Sequence, residues 1–406
     1  MQVYNKVGFH GGSGAGMTGL MDKYVHPVNA AGIPAVVKSV NNAGVAVEVA
    51  QAGIDAGVNN QVILRFVGHP IPDNPTYDIP PEQAAEAHWF DHIKRKLDVS
   101  PELLPYKDYI WIEIINEADH LRWGSHVCQW ATRLAQLANA DGWKAVLLGA
   151  NAGTPEPEHW LEPGAVEFLR YAGERPDTVA ISIHEAKAPW PIDTPILDLV
   201  PHMVGRFKYI FDACDSHGIP HPTVFVSEWA WAYRKMPESL DDAMQDVRDM
   251  AEFYAQFPQV RGVFLWNLTA GPEWGDLPRR LNKLIEPLGQ YTLTARFPDV
   301  VAPPPPTPDP VPEPTGEVTA PEKVVQTVHL LPQDTTLEEL NKVTAALHAT
   351  RSGFTYSAHT VWAVAYGGAE GSKVVVWAGD RWQDDIFAWL HEKGIATEAR
   401  EFEELA

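Results

Sequence analysis

Two short stretches hold the acids best placed to do chemistry. "IEIINEAD" (112–119) reads as a buried strand and then turns polar at Asn116-Glu117, and "VFVSEWAW" (224–231) carries Glu228 near the end of an apolar run. One such Glu alone is explained as well by a solvated helix cap as by catalysis. Two carboxylates facing across a cleft can do more, because a glycosidic bond needs one acid to protonate the leaving oxygen and one ionised carboxylate to attack the anomeric carbon. At about 5–5.5 Å separation, such a pair hydrolyses with retention through a covalent intermediate.

The chain must supply elements that bring residues 117 and 228 together. Eight Val/Ile-rich runs are expected as strands: 6–10, 34–40, 61–68, 109–115, 144–150, 178–184, 223–229 and 261–267. Stretches of helical period lie between them, among them 82–97, 126–140 and 240–257. Continuous apolar strands alternating with helices fit a parallel sheet covered on both faces. Over residues 1–297 the pattern has the size and repeat of a (β/α)₈ TIM barrel, an α/β fold. A doubly wound sheet is the rival. Gly14, Gly16 and Gly19 formally match a dinucleotide fingerprint, but no acid ends the second strand to take a ribose.

Residues 298–322 are Pro-rich and read as a semi-rigid linker. Residues 323–406 resume globular patterning, with strands "KVVQTVHLL", "HTVWAVAYG" and "KVVVWAG" and two helices, as a small α+β accessory domain.

In a barrel, the loops at the C-terminal strand ends build the site. There the sequence places His10, Lys38 with Asn41 and Asn42, Arg65 with His69, Asn116-Glu117, Asn151, His184-Glu185, Glu228-Trp229 and Trp266-Asn267. Strands four and seven lie across the mouth from each other, so Glu117 and Glu228 can face. If Glu117 points inward, strand alternation points Glu113 inward too, and a buried carboxylate wants Lys38 or Arg65 as its cation. Asp119 is read as a cap or loop residue. Six of the fifteen tryptophans, Trp123, Trp190, Trp229, Trp231, Trp266 and Trp274, fall in stretches assigned to the same rim, where indole faces can stack on sugar rings.

"INEAD" and "SEW" at these two strand ends resemble the signature of clan A retaining glycoside hydrolases, a barrel group containing many cellulases, mannanases and xylosidases. The resemblance implies Glu117 as general acid/base, Glu228 as nucleophile and Asn116 as a hydrogen-bond partner of the sugar 2-hydroxyl. It implies an aromatic platform at Trp266 and a histidine near the nucleophile at His184. The chain departs from that pattern in having Lys38 where many members have Arg, and no Tyr in "HEAKAPW". Arg65 either steers the nucleophile from the neighbouring strand or pairs with Glu113.

Other classes could draw on the same residues. A metal-dependent amidohydrolase would need His-x-His on strand one, where only His10 stands. A Schiff-base aldolase would use Lys38. A non-catalytic glycan-binding barrel would keep the cleft without turnover. The formal net charge of −22 argues against nucleic acid or an anionic membrane as partner. Cys128 and Cys214 match neither a disulfide framework nor zinc spacing and are expected as buried thiols. No apolar run reaches the roughly 18 residues of a membrane helix. The expectation is a monomeric, endo-acting enzyme without cofactor or metal, acting on a polysaccharide such as a β-glucan or mannan, or as a lysin on cell-wall glycan. No export leader is visible before the first strand; the expected site of action is nevertheless extracellular or at a cell wall, and otherwise the cytoplasm.

Overall fold

The computed structural model describes residues 3–11, 19–69, 71–72, 74–118, 124–187, 191–232, 235–268 and 275–298, together with four strands beyond residue 326. The chain divides into two compact units, Met1–Val311 and Pro312–Ala406.

The first unit is a closed barrel of eight parallel strands in sequence order. They are β1 (Val7–Gly11), β2 (Val36–Val40), β3 (Gln61–Arg65), β4 (Ile110–Glu113), β5 (Lys144–Ala150), β6 (Val179–Ala186), β7 (Thr223–Ala230) and β8 (Val260–Trp266). Each coincides with one of the eight expected runs, and the main differences are earlier ends for β3 and β4. The expected helix over 82–97 forms as Pro81–His88 and Lys94–Asp98 joined by a π-helical turn at Trp89–Ile93. There the buried Trp89 donates its indole N–H to Asp141 at 3.0 Å.

Alternation along each strand makes two cores. Outward side chains such as Phe9, Val37, Leu64, Ile112, Ile181 and Val226 pack under the surrounding helices in one large cluster. Inward, seven residues close the barrel: Val36, Ile63, Trp111, Val146, Ala180, Phe225 and Phe264. Removing a large aliphatic or aromatic side chain from water contributes about 1.5–3 kcal/mol, so this plug holds the barrel shut from within. One pleat beyond it the inward positions change to Lys38, Arg65, Glu113, Ser182 and Trp266. The apolar plug is therefore the floor of a polar mouth. Cys128 and Cys214 are free and buried in the helix layer, as expected.

In the second unit, β9 (Thr327–Leu330), β10 (Phe354–Ser357), β11 (Lys373–Trp377) and β12 (Ala396–Arg400) form a sheet in the order β10-β9-β11-β12. All its pairings are parallel. The expected strand "HTVWAVAYG", most of the Pro-rich linker and both expected helices lie outside the described residues.

Candidate active site

The mouth is organised around Glu228. Its Oε1 lies 3.4 Å from Lys38 Nζ, 3.3 Å from Arg65 NH1 and 3.4 Å from His10 Nε2. Its Oε2 lies 3.9 Å from His184 Nδ1. The same His184 nitrogen is 3.2 Å from Glu117 Oε1. These two distances bound the gap between the carboxylate oxygens of Glu117 and Glu228 at about 7 Å. The acids singled out on strands four and seven therefore do meet across the mouth, with one imidazole between them.

Glu228 reaches the interior through an irregularity in β7. Ile183 pairs with Val226, but the next pair is His184 with Glu228, so Ser227 is an extra residue in the ladder. Since Phe225 points into the plug, unbroken alternation would turn Ser227 inward and Glu228 out. The extra residue reverses the phase beyond it. The same reversal turns Trp229 outward. It is fully buried in the helix-side core, edge-on to the equally buried Trp231 at 5.1 Å. Trp231 donates its indole N–H to Asp246 at 2.8 Å. Both were expected to line the cleft; they do not, because adjacent strand residues cannot share a face.

Glu117 arrives by a different route. β4 stops at Glu113, and Ile114 and Ile115 both join the outer core, so the two acids are not simply two pleats apart on one strand. Instead the backbone turns, with Glu117 in the left-handed region at φ 47°. Its N–H is held by the Gly149 carbonyl at 2.8 Å. Glu113 is sealed in at 0% exposure, whereas the Glu117 side chain is 43% exposed.

The buried charges sort into pairs. Lys38 Nζ lies 2.5 Å from Glu113, and neither side chain has exposed surface. Burial alone would raise the Glu113 pKa, but the charges of Lys38 and Arg65 bring it below the ordinary value. Arg65 NH1 spans Glu228 and Asn116 Oδ1, the latter at 2.5 Å. Burial likewise works against ionised Glu228, and the charges of His184 and Lys38 outweigh it together with the His10 ring 3.4 Å away, holding the carboxyl well below its usual range. Burial, reinforced by Lys38, pushes His10 down to about 4. His10 is therefore a neutral imidazole at neutral pH and meets Glu228 as a dipole rather than a cation.

Of the remaining candidates, Trp266 is half-buried at the end of β8, pairs with His10 in register and is joined to Asn267 by a cis peptide bond. Asn41 and Asn42 serve the scaffold: the first bonds both backbone groups of Val67, and the second caps the helix Ala43–Ala56 through Val45 N–H. Asn151 is exposed and bonds the next backbone N–H, and His69 is exposed. Trp190, Trp123, Trp274, Asp119 and two glycines of the fingerprint, Gly14 and Gly16, lie outside the described residues. Lys38 is fully enclosed and ion-paired, with Glu113 at 2.5 Å and Glu228 at 3.4 Å. Among the described residues no three His, Cys, Asp or Glu side chains are grouped to hold a metal.

His10 and Ser182 had no assigned role in the sequence reading. His10 stood only among the strand-end residues. Ser182 carried none, since a buried serine in "AISIHEA" looks like strand packing.

No protein-family model matches the chain, and no curated protein matches it. Among solved structures it is similar to a xylose isomerase-like TIM barrel/4-hydroxyphenylpyruvate dioxygenase fusion protein, at 14% identity over 62% of this chain and 43% of that one, TM-score 0.30. It is also similar to a fungal multi-domain GH3 beta-N-acetylglucosaminidase with a GCN5-related glucosamine N-acetyltransferase region (9% identity, 98% and 54% covered, TM-score 0.29). A third similarity is to a glycoside hydrolase family 5 enzyme from Prevotella bryantii B14, at 9% identity over 72% of this chain and 99% of that one, TM-score 0.40.

Proposed function

We propose that the barrel is a retaining glycoside hydrolase that cleaves β-glycosidic bonds of a polysaccharide, with Glu228 as nucleophile and Glu117 as acid/base. The observation that carries this is the unequal setting of two carboxylates joined through His184. Glu228 is ringed by Lys38, Arg65 and His10, which keep it ionised and ready to attack. Glu117 meets only His184 among the described residues and is open to solvent, where it can give a proton to the leaving oxygen and later take one from water. The bound of about 7 Å between their oxygens admits the roughly 5–5.5 Å of a double displacement and only the low end of the inverting range.

The neighbours then have defined tasks. Arg65 fixes the Asn116 carbonyl oxygen, which leaves the amide N–H₂ to donate to the sugar hydroxyl beside the anomeric carbon. The cations around Glu228 hold it until the covalent bond forms and neutralises its charge. Trp266, on the wall beside His10, offers an aromatic face to a sugar ring.

The test is a screen of the purified chain on glucans, mannans, xylans and peptidoglycan, with the anomer of the first product determined by NMR. A retained anomer is expected, and Glu228→Ala should lower turnover on the order of 10⁴-fold. Added azide should give an inverted glycosyl azide with Glu228→Ala and a retained one with Glu117→Ala. An inverted first product rules out the covalent intermediate. No turnover on any glycan, with binding kept, makes the barrel a glycan binder instead.

A further inference from the structure

Resting on that reading of Glu117, we infer that Ser182 is a positioning residue for the acid/base, acting through a bulge in β5. Ser182 sits on β6, fully buried and facing the barrel interior between the plug and the mouth. Its hydroxyl donates to the Leu147 carbonyl at 3.1 Å and accepts from the Gly149 N–H at 2.9 Å. It therefore spans the residues where β5 leaves regular pairing, since the β5–β6 register shifts between Leu147 and Ala150. The backbone there is left-handed at both Leu148 (φ 84°) and Gly149 (φ 50°). A leucine in that region is unfavourable and persists only where its surroundings impose it. The two Ser182 hydrogen bonds hold both sides of that turn from β6.

The bulge is coupled directly to the end of β4. The Gly149 carbonyl receives the Glu117 N–H at 2.8 Å. A Cβ on Gly149 would stand 2.7 Å from the Ile115 carbonyl oxygen and 2.9 Å from the Asn116 Cα. The glycine thus lets the Asn116-Glu117 backbone lie against β5, and its carbonyl sets where Glu117 takes its own left-handed turn. Ser182 holds Gly149, Gly149 holds Glu117, and no substrate atom need touch either of the first two.

Ser182→Ala removes the hydroxyl and little volume. Compare the variant with the parent on an unactivated glycan bond, which needs protonation of its leaving oxygen, and on a dinitrophenyl glycoside, which does not. Displacement of Glu117 should lower kcat/KM about 10²-fold on the first and less than threefold on the second. A structural loss with no bearing on the acid would lower both alike, and either that result or no change in both overturns the inference. A second readout needs no turnover: the side-chain ¹⁵N resonances of His184, whose Nδ1 contacts Glu117, should move in Ser182→Ala, and unmoved resonances refute the coupling. If the parent itself cleaves nothing, the glycosidase reading fails while the His184 signal still decides the positioning claim. Should Ser182→Ala not fold, Ser182→Cys, a weaker hydrogen-bonding group of similar shape, carries the same two measurements.

Discussion

Glu228 and Glu185 stand one strand apart, both enclosed by protein, on opposite faces of the sheet. Glu228 faces the barrel interior, where cations surround it and hold its proton off. Glu185 faces the helices, where it is 1% exposed and the charge of Arg206 is the least of the influences on it. Its Oε1 accepts from Gly205 N–H at 2.8 Å and Arg206 N–H at 3.1 Å, and its Oε2 accepts from the Tyr254 hydroxyl. Burial outweighs those donors and raises its pKa to about 7. The same chemical group is thus driven in opposite directions by the face it occupies. Formal charges inside the barrel overcome the loss of solvent; hydrogen-bond dipoles outside it do not. Being enclosed therefore says little about a carboxylate's state until its partners are named.

Three sets of substitutions test this contrast. The largest expected effect comes from Lys38→Met, which strands Glu113 in the interior without its cation. Breaking such a buried pair costs about 3–5 kcal/mol, measurable by urea denaturation. Lys38→Met with Glu113→Leu should recover most of that stability. The acid limb of kcat/KM should stay shifted upward in the double variant, because Glu228 has still lost Lys38. A limb restored along with stability would mean that Lys38 acts only through Glu113.

Glu185→Gln comes next. The folded pKa of about 7 lies above the ordinary 4.5, so the unfolded chain releases the proton first as pH rises. The contribution of Glu185 is full below about 4.5 and lost as pH climbs through about 7, a change of roughly 3 kcal/mol. The variant lacks this titration, so it should gain on the parent between pH 5 and pH 8 in denaturation experiments. An unchanged difference between the two pH values would show that Glu185 titrates normally.

The tryptophans give the smallest effect and the same contrast of faces. Trp266→Ala should raise KM by up to about tenfold, as expected for loss of one aromatic contact, with little change in Tm. Trp229→Phe should leave KM alone and cost roughly 1–2 kcal/mol of stability. A KM effect at Trp229 would return it to the cleft.

Much of the architecture could be read from the residues. Val/Ile-rich runs at regular spacing have few ways to bury themselves other than a barrel under helices, and all eight strands formed where those runs lie. Glu117 and Glu228 could be paired because barrel order alone puts strands four and seven across the mouth. Which residues of a strand end face the cleft was another matter. Period-two alternation is a local rule, and one extra residue at Ser227 or an early end at Glu113 reverses or stops it. Such irregularities depend on what the neighbouring strand and helix can accommodate, so no pattern in "VFVSEWAW" marks them.

The sequence by itself therefore determined the barrel, the two acids and the demand of buried Glu113 for a cation, since each follows from apolar burial, strand order or the cost of an unpaired charge. Only the tertiary structure decided that Lys38 takes Glu113 while Arg65 reaches Glu228 and Asn116. It also decided that Trp229 and Trp231 belong to the core, and that a serine on β6 braces the turn presenting Glu117. Those outcomes depend on distances of a few ångströms between strands far apart in the chain, where a shift of one residue exchanges one face for the other.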